Sequence, residues 1–138
     1  MSFKFKLNIC SLNARGLRNA NKLHKVLNYC NEKKFNTLFL QETFVTSDIL
    51  VSFDKKVNKY GTTFHSISCT PHVRGVAIVL SKDFPEYKVL HIQTDTQGRK
   101  VMVNLELNIS KMTNLNQHLC AKSFEPWNHV ILKPLIMF

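Results

Sequence analysis

Ser11-Leu12-Asn13-Ala14-Arg15-Gly16-Leu17-Arg18 and Leu38-Phe39-Leu40-Gln41-Glu42-Thr43 are two apolar runs, each of which stops at a polar cluster. Between them lies a stretch of helical spacing, long enough for a crossover. Such a crossover brings the chain back so that the two runs lie parallel. Asn13 and Glu42 then emerge at the same carboxyl edge of one sheet, where open α/β sheets place their ligands. An amide and a carboxylate on one rim are the beginning of a site for a divalent metal and phosphate.

Working outward, Phe3, Phe5, Leu7 and Ile9 alternate with Lys4, Lys6, Asn8 and Cys10, which predicts a first strand ending at Ser11. Asn19 or Asn21 can cap a helix in which Leu23, Val26, Leu27 and Cys30 share one face, with Lys22, Lys25, Lys33 and Lys34 left in water. Thr37 to Leu40 is a continuous apolar run, as expected of a strand covered on both faces. A weaker strand follows over 60–68, a second buried run over 75–80, and a turn over 81–85. Residues 89–92 and 101–107 flank Asp95-Thr96-Gln97-Gly98 as an antiparallel hairpin, with Gly98 in a turn or bulge and Val101, Val103, Leu105 and Leu107 facing inward. After Asn108 no period is legible, and residues 109–138 are set apart as a tail distinct from the 1–108 unit.

The 138 residues suffice for one domain with a hydrophobic core. Nineteen Lys and Arg against nine Asp and Glu give a formal charge of +10, which favours polyanionic partners through counterion release. The basic residues are scattered in pairs such as Lys33-Lys34 and Lys55-Lys56, not gathered in a tail. Lysine alternating with phenylalanine in residues 1–6 is unlike a secretion signal, and no run reaches the roughly 20 apolar residues that span a bilayer. The expectation is an intracellular protein, nuclear if it acts on DNA, with no membrane partner. Cys10, Cys30, Cys69 and Cys120 are too widely spaced for a zinc ribbon or a disulfide framework.

Two readings stand open for Glu42: a ligand to metal and phosphate, or an exposed glutamate at a strand end. Gln41 beside it points to the opposite face as a structural group. Asn13 either donates to a phosphate or simply forms a turn, and Gly16 permits a sharp reversal or a close backbone approach. Arg15 and Arg18 are placed to contact a phosphodiester backbone without reading sequence. Arg74 reads as a surface charge before its strand. His65, His72, His91, His118 and His129 lack a partner at metal-ligand spacing, His72 with Cys69 being the nearest pair. The four glycines are too far apart for a phosphate loop.

Taken together with Arg74-Gly75-Val76-Ala77-Ile78-Val79-Leu80-Ser81-Lys82 and Gln97-Gly98-Arg99, the two opening segments resemble the first half of the endonuclease/exonuclease/phosphatase superfamily. The flavour is that of the apurinic-endonuclease-like, deoxyribonuclease-I-like domain that precedes the reverse transcriptase in non-long-terminal-repeat retrotransposons. The resemblance covers about residues 5 to 108. It implies an α/β fold: part of a four-layered α/β sandwich, with a mixed sheet and a flanking crossover helix. It also implies nicking of DNA with Mg²⁺ or Mn²⁺, Asn13 organising the active site and Glu42 holding the metal.

The later segments of that family, Asn-x-Tyr-Ala-Pro, Gly-Asp-x-Asn and Ser-Asp-His, have no counterpart here. With them go the tyrosine, the water-activating aspartate and the phosphate-contacting histidine. The expectation is therefore a truncated endonuclease domain of weak or no activity, with a sheet left bare for self-association. Two alternatives are a non-catalytic basic nucleic-acid-binding fragment and a phosphatase-type member of the same superfamily.

Overall fold

The computed structural model describes residues 6–110, 113–123 and 128–135, with side chains through residue 107. Two four-stranded sheets pack face to face. Sheet A has the order β1-β2-β4-β3 and sheet B the order β5-β6-β7-β8.

β1 (Ile9–Asn13) and β2 (Thr37–Gln41) run parallel, joined by the crossover helix α1 (Ala20–Glu32). The expected first strand begins partly outside the described residues and does not stop at Ser11. Its pairing with β2 carries it two residues further, to Asn13. Asn19 caps α1, its side chain accepting from the N–H groups of Asn21 and Lys22. Leu23, Leu27 and Cys30 are buried and Val26 is half-buried, while all four lysines read as facing water are exposed. Truncating Leu23 or Leu27 to alanine carries the usual core penalty of about 2–5 kcal/mol.

A second helix, α2 (Leu50–Val57), has no counterpart in the sequence reading. It is two turns long, lacks a side-chain cap, and buries only Phe53 and Val57, so it leaves little periodic signal. β3 (Gly61–Ser66) is the edge of sheet A and pairs antiparallel with β4 (Val76–Ser81), which also pairs antiparallel with β2. Every residue of β2 and β4 is buried, because both faces of these strands are covered.

The two faces of sheet A are divided by strict alternation. Leu38, Leu40, Ala77 and Val79 face the helices, packing with Leu23, Leu27, Phe53 and Val57. Phe39, Val76, Ile78 and Leu80 face sheet B, meeting Val101, Val103, Leu105 and Leu107 of β6 (Lys100–Ser110). The inward face expected of that strand is thus observed. The described layers are helices, sheet A and sheet B, an α/β sandwich with a mixed sheet and a flanking crossover helix.

β5 (Tyr87–Thr94) forms the expected hairpin with β6, with a register shift between Val89 and His91. The backbone of the 109–138 segment continues the same sheet as β7 (Thr113–Ser123) and β8 (Asn128–Leu135). The inner face of sheet A is therefore not the bare surface expected of a half-sandwich, since β6 covers it. Among the described residues of sheet B, the exposed large apolar side chains are Val89, Leu90 and Ile92, on the edge strand β5. Among the described residues no helix is long and apolar enough to cross a membrane.

Candidate metal and nucleic-acid site

The register of sheet A sets Asn13 opposite Gln41, Gln41 opposite Val76, and Val76 opposite Ser66. This row ends β1, β2 and β3 and begins β4, so the loop after β1, the loop after β2 and the loop joining β3 to β4 all lie at one rim. Glu42 follows Gln41 directly. The two residues singled out in the sequence are brought together, because a parallel pair joined by a crossover has no other way to place its ends.

Main-chain hydrogen bonds stitch these loops to one another beyond the sheet. Ala14 N–H donates to the Gln41 carbonyl at 2.8 Å, Gly16 N–H to Glu42 at 2.7 Å and Leu17 N–H to Thr43 at 2.8 Å. From the other side, Thr43 and Phe44 donate to the carbonyls of Gly75 and Arg74, at 3.0 and 2.9 Å, and Gly75 donates to Gly98 at 2.9 Å. The four segments that carry the family resemblance thus form one continuous hydrogen-bonded rim.

The rim is also where the backbone is strained. Arg15, Glu42, Phe44 and Arg74 all have positive φ, at 48°, 52°, 58° and 63°. A side chain in this region costs of order 1–2 kcal/mol, and such residues gather at functional sites. Gly75 and Gly98 accommodate the closest approach. A Cβ on Gly98 would lie 2.8 Å from the Gly75 nitrogen and 2.9 Å from the Ile67 carbonyl oxygen, at a φ of 71°.

Glu42 is half-buried, and among the described residues nothing hydrogen-bonds or ion-pairs with its carboxylate. Asn13 is exposed, and its Oδ1 accepts weakly from the Arg15 N–H at 3.3 Å. Gln41 is buried and donates to the Ser11 hydroxyl, the structural role expected of it.

The two arginines differ. Arg15 is exposed, and its guanidinium has no partner among the described residues. Arg18 is engaged. Its Nη1 donates to the Thr46 hydroxyl at 2.6 Å and to the Phe44 carbonyl at 3.2 Å, and its Nη2 pairs with Asp48 at 3.2 Å. It holds the loop after Glu42 in place. The Thr46 hydroxyl above all keeps Asp48 below the ordinary carboxylate range; desolvation opposes it, and Arg18 adds to the lowering.

Arg74 differs from its expected role, and Ser66 and Asp95 were not singled out in the sequence. Arg74 is half-buried and donates to Gln97 Oε1 at 3.2 Å, so it bridges two loops instead of standing free before its strand. Ser66 donates to Asp95 Oδ1 at 2.6 Å, and the same oxygen accepts from the N–H groups of Arg99 and Lys100. Burial raises the Asp95 pKa, but Ser66 and these backbone donors outweigh it and leave the group lowered. Asp95 is therefore a second carboxylate near the rim, one whose Oδ1 closes its own turn. No short-range pattern links Ser66 to a residue 29 positions away.

His65, one residue before this row, holds Asp54 of α2 through Nε2 at 2.6 Å and stacks edge-on against Phe53. Burial depresses its pKa more strongly than the Asp54 carboxylate raises it. The buried Nδ1 has no partner, so a second N–H there would be unsatisfied, which fits a neutral ring.

The donor set can be tested against a divalent cation. Mg²⁺ typically takes one or two carboxylates and completes its shell with water and substrate phosphate. Glu42 with the Asn13 amide oxygen fits that minimum. Among the described residues no group of three or more His, Cys, Asp or Glu is disposed to cage an ion.

No protein-family profile matches the chain, and no curated protein does. Among solved structures it is similar to TDP2 from Caenorhabditis elegans. One such structure shares 20% identity at a TM-score of 0.42, with 93% of this chain and 35% of that one aligned. A selenomethionine form shares 21% at 0.44, with 94% and 35% aligned. A truncated form shares 19% at 0.45, with 78% and 43% aligned. The chain thus spans well under half the length of the structures it resembles.

Proposed function

We propose that the Asn13–Glu42 rim is a metal-dependent phosphodiester site of the endonuclease/exonuclease/phosphatase type, in the retrotransposon-like variety, acting on DNA. The observation that carries this reading is the half-buried Glu42 carboxylate. Among the described residues it lacks a compensating partner, and it is held in left-handed backbone where the loops after β1 and β2, the β3–β4 loop and the 95–99 turn converge.

In this reading Glu42 and Asn13 hold Mg²⁺ or Mn²⁺ weakly, and the bound ion supplies stabilisation of charge on phosphoryl oxygens. Arg15 neutralises a backbone phosphate, and Arg18 positions the Glu42 loop. Asp95 is anchored through Oδ1 by Ser66 and two backbone N–H groups, so it serves the turn that carries Gly98 rather than the cation. With one free carboxylate at the rim, the activity of this chain by itself is weak.

Nicking of supercoiled plasmid in Mg²⁺ tests the proposal. Slow nicking lost in Glu42→Ala supports it, and nicking of equal rate in both proteins refutes it. A second reading, a non-catalytic nucleic-acid binder, is favoured by the scarcity of acidic ligands at the rim. It predicts salt-sensitive binding, no nicking, and no effect of Glu42→Ala.

A further inference from the structure

A trough runs between α1 and α2 on the helical face of sheet A. Two adjoining cavities of about 340 and 300 Å³ open along it and share His24, Leu27, Lys56 and Lys59. The larger reaches the loops before β2 and after β4, adding Lys34, Lys82 and Asp83. These loops lie at the end of sheet A opposite Asn13 and Glu42.

The charge along this trough is one-sided. Lys34, Lys56, Lys59 and Lys82 are exposed, none is ion-paired among the described residues, and Asp83 is the one carboxylate lining either cavity. Four ammonium groups around one concavity repel each other and lower their energy when an anion neutralises them. The two adjoining cavities offer more room than a single ion fills, and lysines act as point charges that follow a chain of phosphates without demanding a fixed geometry.

Shape selects among polyanions. A bilayer is broad and needs projecting apolar anchors, whereas among the residues lining the trough Leu23 and Leu27 are buried and Phe35 and Tyr60 half-buried, and the exposed Tyr29 and Val51 of the two helices line neither cavity. A single strand can lie down inside it.

We propose that the α1–α2 trough is a second, non-catalytic track for the phosphodiester backbone of single-stranded nucleic acid, separate from the rim and independent of what the rim does. The test is fluorescence anisotropy of a labelled 20-nucleotide thymidine strand with the full chain, over 50–200 mM NaCl.

Lys56→Glu/Lys59→Glu is expected to weaken binding at least about tenfold. The slope of log affinity against log salt should become shallower by about 1.4, two contacts at roughly 0.7 each. Lys25→Glu/Lys88→Glu, of equal charge change elsewhere, is expected to change affinity less than about threefold. The milder Lys56→Gln/Lys59→Gln, checked for unchanged helical circular dichroism, must show a smaller loss of the same kind. Binding and its loss in Lys56→Glu/Lys59→Glu persist in EDTA, where no divalent cation can act at the rim, which separates the track from the rim. Equal losses in the two glutamate double variants overturn the proposal. So does binding to phosphatidylserine vesicles without binding to the strand.

Discussion

The backbone N–H of Gly16 donates to the carbonyl of Glu42 at 2.7 Å, so the loop after β1 and the loop after β2 are one piece of structure. The carboxylate proposed to meet a cation is thereby fixed from the main chain, while its own oxygens stay unused. Such an arrangement gives up stability for a poised group, and this has measurable consequences.

Glu42 occupies a conformation that glycine adopts freely. Glu42→Gly is expected to leave the thermal midpoint unchanged or to raise stability by up to about 1 kcal/mol, while removing any divalent-cation effect. Differential scanning calorimetry with and without Mg²⁺ measures both. A loss of more than about 1 kcal/mol would show that the side chain makes a stabilising contact.

Gly98 has backbone on two sides and a φ of 71°. Gly98→Ala is expected to cost about 1–3 kcal/mol in urea denaturation, since neither Gly75 nor Ile67 can retreat without breaking the rim. Unchanged stability would mean that the 95–99 turn is free to move away from Gly75.

Arg15 and Arg18 should separate by phenotype. Arg18→Ala removes three hydrogen bonds to the 44–48 loop and is expected to lower stability by about 1 kcal/mol. Arg15→Ala should leave stability unchanged and weaken DNA binding. Equal effects of both variants on both assays would contradict the assignment.

His65 gives a pH dependence of known sign. Its folded pKa lies below the unfolded value near 6.5, so the unfolded chain binds the extra proton first. The corresponding stability is fully present above pH 6.5 and is lost as pH falls from there through the lower folded value. His65→Gln should flatten the denaturation midpoint across pH 5.5–6.5. A slope that persists in the variant assigns it to another group.

Much of this was legible in the sequence where a signal is local and repetitive. The run from Thr37 to Leu40 announced a strand covered on both faces, and Val101 to Leu107 announced an inward face by alternation. The asparagines at 19 and 21 announced a capped helix, and Asn19 is the one that caps it. Asn13 and Glu42 could be placed on one edge because a crossover leaves two strands pointing the same way. What stayed hidden depends on distance along the chain. The Ser66–Asp95 and Arg74–Gln97 contacts join residues 29 and 23 apart, and no spacing encodes them. Helix α2 is too short to show a period. The 109–138 segment pairs its backbone as β7 and β8 without an apolar alternation to mark it.

The most direct test of the central claim is paramagnetic broadening by Mn²⁺ in amide spectra of the ¹⁵N-labelled chain. The account predicts loss of signal first at residues 13–16, 42–44, 74–75 and 98, and its disappearance in Glu42→Ala. Broadening centred elsewhere, or undiminished in that variant, would contradict it.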